Sequence, residues 1–427
     1  MKQLFYFPIL ILILGCSGPQ EKELRIIAEY EPHEAIFIGF RNDLGMGDYD
    51  RKELETLDKW DSLNLELAKL AQDFVHAYLM VGDTSLFRNP HSTLTEFGID
   101  TSKVKVMYQP LSEDFYQDPA PLFGLNEEGS LMAVDFKWTG YSNISHPDSI
   151  SEKAKIVEAA DRHLASALGL PMINLDLALE GGAWEANAKG TVILTEKLMK
   201  GRNPEMSLQR MEEELATKLN IKQVIWLPQG AAEDPQQFSR IVGDYYGFGT
   251  GGHTDEYVRF ANDSTILLAW VNEDEKSLHP IDSLNYINYM ECLQILQNTP
   301  RPDGGKYTIV KIPSAPLQEK LMVVDTSAEW SDYYLNALRT EHGDTLIRVS
   351  ATSYMNFVIT NGLIIAPKYF YAGMDSSVYY KDEEVASLLK SVFPEREIKQ
   401  LDPSLFNYRG GGLHCRFKEL PSIKSLN

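Results

Sequence analysis

Short runs of β-branched and aromatic residues, each bounded by turn formers, recur along the chain at Ala35–Phe40, Ser130–Phe136, Thr191–Glu196, Thr265–Trp270 and Leu363–Pro367. Each run predicts a strand. Lys189-Gly190, Asn262-Asp263-Ser264 and Asn361-Gly362 are residues that tolerate positive φ or tight turns, so they predict hairpins beside three of the runs. A stretch of helical period follows each run, as in Glu205–Leu219, where Leu208, Met211, Leu215 and Leu219 share a face. Another strand pattern comes next, at Tyr78–Val81 or Val104–Tyr108, Met172–Leu179, Gln223–Leu227, Tyr307–Ile312 and Glu397–Leu401. Hairpin, helix and strand are thus written about five times, which predicts one α/β domain of repeats closed into a ring. Any layered α/β protein also spaces hairpins and helices in this way, so the pattern alone leaves both architectures open.

The first residues read differently. Lys2, the apolar stretch Leu4 to Leu14 and Ile13-Leu14-Gly15-Cys16 form a bacterial lipoprotein signal, with Cys16 as the lipidated first residue of the mature chain. An ordinary secretory peptide cut nearby is the alternative. No other apolar run approaches the roughly 20 residues of a membrane span. The expected organisation is therefore a signal over 1–16, a short tether over 17–27, a catalytic domain over 28–420 and a tail over 421–427. The expected place is the cell envelope, on a bacterial membrane, held by lipid alone.

Of three cysteines, Cys16 is consumed by the anchor and Cys292 falls in the helical stretch Tyr286–Gln297 as a core thiol. No even set remains for a disulfide framework, and about 410 mature residues can bury a core without one. With 40 Lys and Arg against 61 Asp and Glu, the net charge of −21 argues against nucleic acid and is compatible with a cationic substrate.

The remaining cysteine carries the chemistry. Arg409-Gly410-Gly411-Gly412-Leu413-His414-Cys415 sets a lone thiol after three glycines, which allow sharp turning and close approach to a ligand. A nucleophilic Cys needs an acid or base brought to it by the fold, and Gly251-Gly252-His253-Thr254-Asp255 offers one. Asp255 lies two residues beyond His253, on the same side of an extended segment. By the same alternation His414 turns away from the side that Cys415 faces.

These two motifs, with Glu180-Gly181-Gly182 and Glu31-Pro32-His33-Glu34-Ala35, together resemble the agmatine deiminase and bacterial-type peptidylarginine deiminase family. The likeness runs from about Ala28 to about Cys415, in the family's order, over nearly the whole mature chain. It implies the pentein fold, a five-bladed α/β propeller of ββαβ repeats with the site in its central channel, and hydrolysis of a guanidine group. It assigns Cys415 as nucleophile, His253 as proton shuttle, and Asp255 and Asp118 as carboxylates that hold the guanidinium. Asp118 rests on Asp114-Phe115-Tyr116-Gln117-Asp118-Pro119, which departs from the family pattern at Gln117, usually Arg, and at Ala120, usually Gly. A loop aspartate capping the turn before Pro119 is the alternative reading of Asp118.

Glu180 and Gly182 are read as substrate-binding, Trp184 as a pocket wall or a core residue, and Asn356 as reaching the site, while Asn361 is a turn residue. His33 is read as structural. A metal set of His253, Asp255 and His414 lacks ligand spacing, so no metal and no organic cofactor is expected. The expected reaction passes through a covalent thiouronium and yields a ureido product and ammonia. A peptidylarginine deiminase, a sister amidinotransferase and a non-catalytic envelope protein with the same cation pocket are the alternatives. Glu113, Asp114, Glu180, Glu185 and Glu256 lie at or beside these motifs with no basic residue among them, which favours an amine-tailed guanidine such as agmatine. Oligomeric state is left open.

Overall fold

The antiparallel pairing of Phe417–Pro421 with His33–Arg41 joins two segments from opposite ends of the chain in one sheet. The structure, a computed structural model, describes residues 24–41, 54–82, 84, 87, 89–110, 115–141, 152–326, 335 and 338–425. The proposed signal and Cys16 lie outside these residues, as does Asp114.

Among the described residues, five of the six sheets share one arrangement, an antiparallel strand pair whose second strand is followed through helix by a parallel third. The first unit pairs Phe417–Pro421 with His33–Arg41, then crosses the helix Leu54–Ala71 to the parallel strand His76–Val81; Val104–Tyr108 adds a fourth strand. The second runs from Leu122–Leu125 to Leu131–Lys137 and Met172–Ala178. The third runs from Glu185–Ala186 to Thr191–Thr195 and Gln223–Leu227. The fourth runs from Val258–Asn262 to Thr265–Trp270 and Thr308–Pro313, and the fifth from Val358–Thr360 to Leu363–Pro367 and Glu397–Leu401. All the strand patterns read from the sequence fall on these strands.

The helix of the third unit shows why the crossovers form. Ser207 caps it by accepting from the Arg210 amide at 3.1 Å, and Asn220 ends it in the left-handed conformation at φ 52°. Between them Met211, Leu215 and Leu219 are buried in one cluster with Leu175, Leu177, Val192 and Leu194. Each such side chain contributes roughly 1.5–3 kcal/mol on burial, so the apolar face rather than helix propensity holds the segment.

A sixth sheet, ordered Gln236–Val242, Tyr245–Thr250, Thr345–Val349 and Glu319–Val323, is built from insertions flanking the fourth unit. Gln236–Val242 is largely half-buried and Glu319–Val323 largely exposed, unlike the continuously buried Thr191–Thr195 and Leu363–Pro367, and the sequence pattern did not reveal this sheet. The edges of the domain also differ from expectation. Leu24 and Ile26 are buried and Arg25–Ile26 pairs with Gly124 and Leu125, so the fold begins within the span read as a tether. At the other end Pro421 still belongs to a strand and the Ser422 amide donates to Pro32 O at 2.8 Å. Among the described residues no helix is long and apolar enough to cross a membrane.

Candidate active site

Each unit contributes a short segment just before its leading strand. Asp118 precedes Leu122–Leu125, Glu180 and Gly182 precede Glu185–Ala186, His253 and Asp255 precede Val258–Asn262, Asn356 precedes Val358–Thr360, and Cys415 precedes Phe417–Pro421. The five segments interlock. The Gln117 amide donates to Cys415 O at 3.1 Å, the Gly182 amide to Asp118 Oδ1 at 3.0 Å, and the Thr254 hydroxyl to Gly182 O at 3.1 Å.

The glycines are required by this crowding. A side chain at Gly182 would place its Cβ 2.5 Å from His253 Nδ1, 2.8 Å from Asp118 Oδ1 and 3.2 Å from Asp255 Oδ2. Gly410 has a positive φ of 86°, and a Cβ at Gly412 would lie only 2.3 Å from Asn356 Oδ1. The run thereby seats Cys415 against Asn356, whose Nδ2 lies 3.2 Å from Sγ and donates to Glu256 Oε1 at 2.9 Å.

Cys415 is buried, with Sγ 3.5 Å from Asp255 Oδ2 and 3.9 Å from Glu256 Oε1. Burial first, and then the carboxylates of Asp255, Glu256 and Asp118, push the thiol well above its ordinary value. The resting thiol is therefore held in its neutral form. His253 has Asp118 Oδ1 3.5 Å from Nδ1 and Glu180 Oε2 3.5 Å from Nε2. Burial opposes its charge, but Asp118, Glu180 and Asp255 outweigh burial and hold it up at about 9. Burial raises Asp118 to about 6, against the pull of His253, and its Oδ2 accepts from Tyr141 at 2.7 Å. Glu180 is buried too, but Arg202, with Nε 2.6 Å from Oε1, and His253 keep it below the usual carboxylate value.

Two sequence-based readings require correction. His253 to Asp255 is not an extended segment, since Thr254–Glu256 forms a 3-10 turn, yet both side chains reach the Gly182 surface. His414 does not turn away from the site. His414–Arg416 is also a 3-10 turn, so alternation does not apply, and His414 Nδ1 lies 2.8 Å from the same Asp255 oxygen that faces Cys415. The other readings find these places. Trp184 is buried in the core cluster of the second and third units and also lines a small cavity beside Glu29. His33 bonds Glu29 O at 2.9 Å and, through its backbone, the Asn361 side chain; Cys292 is fully buried in another core cluster.

Several functional groups escaped the sequence reading. Glu29 Oε2 lies 2.9 Å from His414 Nε2 and accepts from Arg259 Nη2 at 2.6 Å. Asp234 gathers the Thr250, Gly252 and His253 amides and so shapes the turn that presents His253. Arg202 is placed by a residue separation that no motif encodes, whereas Glu29 stands two residues upstream of the quoted Glu31-Pro32-His33. Arg259, four residues beyond Asp255, was within reach of the sequence as a charge just outside the motif, and here it is paired with Glu29 and Glu185. Asp255, Glu256 and Cys415 bring possible ligand atoms within 4.8 Å of one another. Both ring nitrogens of His253 and of His414 face carboxylates, and protonated rings of this kind do not ligate a metal.

Comparison with known proteins places this geometry. An agmatine deiminase of Pseudomonas aeruginosa (strain LESB58) is 25% identical, over 95% of this chain and 98% of its own. The solved agmatine deiminase of Enterococcus faecalis matches with a TM-score of 0.69 at 20% identity, covering 94% of this chain and 96% of that one. A substrate-bound agmatine deiminase of C. jejuni matches with a TM-score of 0.67 at 19% identity, over 98% and 99% of the two chains. The mixed α/β sheets are therefore those of the agmatine deiminase fold. The profile of the Porphyromonas-type peptidyl-arginine deiminases matches residues 25–421, and the chain belongs to that family.

Proposed function

We propose that this protein is a deiminase that hydrolyses a guanidine group to a ureido product and ammonia through a thiouronium on Cys415. The observation that carries this reading is a cluster of buried carboxylates, Asp118, Glu180 and Asp255, gathered with a buried thiol, in which Asp255 Oδ1 has no partner. A guanidinium has only N–H donors, in one plane, and satisfies such an acceptor without itself needing any donor. Among the described residues of the cluster Arg202 and Arg259 are each bound to carboxylates, which supports an amine or uncharged tail over a carboxylate. Agmatine is the favoured substrate, and peptidylarginine is the alternative that the family name raises.

The course follows from the charges. Binding of the cation offsets the carboxylates around Cys415, the thiol proton leaves to solvent, and the thiolate attacks the guanidinium carbon. The tetrahedral adduct collapses as His253 gives its proton to the departing nitrogen, releasing ammonia and leaving the thiouronium. Neutral His253 then takes a proton from water as the oxygen bonds to carbon. Breaking the C–S bond returns the thiolate, and the product hydroxyl proton passes to ammonia or solvent. We also read the five units as blades of one ring around the site, a reading supported by the contribution of one segment from each unit.

Incubation with agmatine, free arginine and a short arginyl peptide, followed by assay of ureido product and ammonia, tests the proposal. Ureido product from agmatine is expected. Transfer to an added amine without ureido product would make the protein an amidinotransferase, and no turnover of any guanidine would leave a binding protein. A tenfold or greater preference for the peptide in kcat/KM, about 1.4 kcal/mol, would overturn the choice of agmatine.

A further inference from the structure

The imidazole of His414 is buried between two carboxylates, with Nδ1 2.8 Å from Asp255 Oδ2 and Nε2 2.9 Å from Glu29 Oε2. Two ionised carboxylates offer only acceptors, so the ring satisfies both only as an imidazolium. Glu29 is anchored in turn by Arg259, whose Nε bonds Glu185 Oε2 at 2.9 Å and whose Nη1 donates to Phe357 O at 3.0 Å. A chain of alternating charges thus runs from Glu185 through Arg259, Glu29 and His414 to Asp255, and ends 3.5 Å from the nucleophile. Asp255 spends Oδ2 on His414 and on the thiol, while Oδ1 is buried without a partner.

We propose that Glu29 and His414 are positioning residues for the reaction, the imidazolium pinning Oδ2 of Asp255 so that Oδ1 is presented to the substrate, and Glu29 keeping that ring charged. The proposal rests on the guanidine-hydrolysing reading only for what Oδ1 meets. A tethered cation suits this task better than a neutral donor, because it keeps Asp255 ionised beside two other carboxyl groups, Asp118 and Glu256. The charged groups facing the ring are Asp255, Glu29 and Arg259, with Cys415 and Glu256 on the far side of Asp255. Burial and Arg259 oppose its protonation, Glu29 and Asp255 favour it, and the balance holds it up at about 9. Removing the Glu29 charge leaves Arg259 in place, so the ring then gives up its proton at lower pH.

The test is a pH profile of kcat/KM for Glu29→Gln, which keeps the shape and one acceptor oxygen but not the charge. A fall of at least tenfold at pH 8 is expected, with the alkaline limb moved to lower pH and most of the loss in KM. His253 makes no contact with Glu29, so its own ionisation does not produce that movement. In a cycle with His414→Asn, which retains a donor near Asp255 but no titrating ring, Glu29→Gln should add no further shift. An unmoved alkaline limb, or additive effects in the cycle, would overturn the proposal. The wild-type enzyme tests it even where the variants fail to fold. A downfield proton resonance from the His414 Nδ1–H should persist at pH 8, and its absence would overturn it. If wild-type enzyme turns over no guanidine, the functional reading fails and this resonance alone decides the relay.

Discussion

Gly182 and His253 approach so closely that a Cβ on the glycine would lie 2.5 Å from Nδ1 of the ring, nearer than real Cβ contacts come. Replacement by Ala must therefore move the imidazole away from Asp118 and Glu180. Gly182→Ala is expected to lower kcat by about 100-fold, the order of effect of a misplacement near 1 Å, while the melting temperature changes little. Activity within threefold of wild type, roughly 0.65 kcal/mol, would show that the ring can shift without consequence.

Cys415→Ser should abolish turnover and leave stability nearly unchanged, because Ser matches the shape but not the acidity of the thiol. Cys292→Ser, remote in the core, should keep kcat near wild type. Iodoacetamide inactivation of substrate-free enzyme should be slow at pH 7 and accelerate above pH 9, since burial and three carboxylates hold the thiol neutral. Rapid inactivation at neutral pH would place a thiolate in the resting site and contradict this electrostatic picture.

Arg202→Met leaves Glu180 buried opposite an apolar chain, and it also removes donors to Gln236 Oε1 and Thr250 O. Breaking a buried pair on one side costs about 3–5 kcal/mol. Urea unfolding measures it. A loss below about 1 kcal/mol would rank the pair with surface ion pairs.

His253 titrates near 9 in the folded protein, above the roughly 6.5 of an unfolded chain. A raised histidine contributes stability that is complete below the unfolded value and is lost as pH rises towards the folded one. The melting temperature should therefore fall between pH 6.5 and about 9, and His253→Gln should flatten that fall. Parallel curves for the two proteins would remove His253 as its cause.

Membrane attachment through Cys16 is proposed from the signal pattern alone. Cys16→Ala should leave the protein unprocessed or released from membranes on fractionation. A cleaved variant that still sediments with membranes as well as wild type would refute the anchor.

The strand and helix units were legible because short runs of β-branched and apolar residues, bounded by turns such as Asn262-Asp263-Ser264 and followed by a helical period, survive in residue choice. The sixth sheet was not, because the polar-rich Gln236–Val242 and the glycine-bearing Tyr245–Thr250 form no such apolar run. At the site, Cys415, His253, Asp255, Asp118, Glu180, Gly182 and Asn356 were named from local motifs, and the structure gathers all of them. His414 was misjudged because alternation presumes an extended backbone, and the 3-10 turn breaks that premise. Glu29 was invisible for a different reason, as its partner lies 385 residues away and neither segment alone announces the contact.

The sheet that joins Phe417–Pro421 to His33–Arg41 also sets an order of events during synthesis. A chain leaving the ribosome can complete four of its five repeats while the first still lacks its leading strand. Cys415 sits immediately before that strand, so its thiol is fixed only when this last partner arrives. An unfinished or C-terminally clipped chain would hold Asp118, Glu180, Asp255 and His253 yet have no seated thiol beside them until Phe417–Pro421 pairs with His33–Arg41.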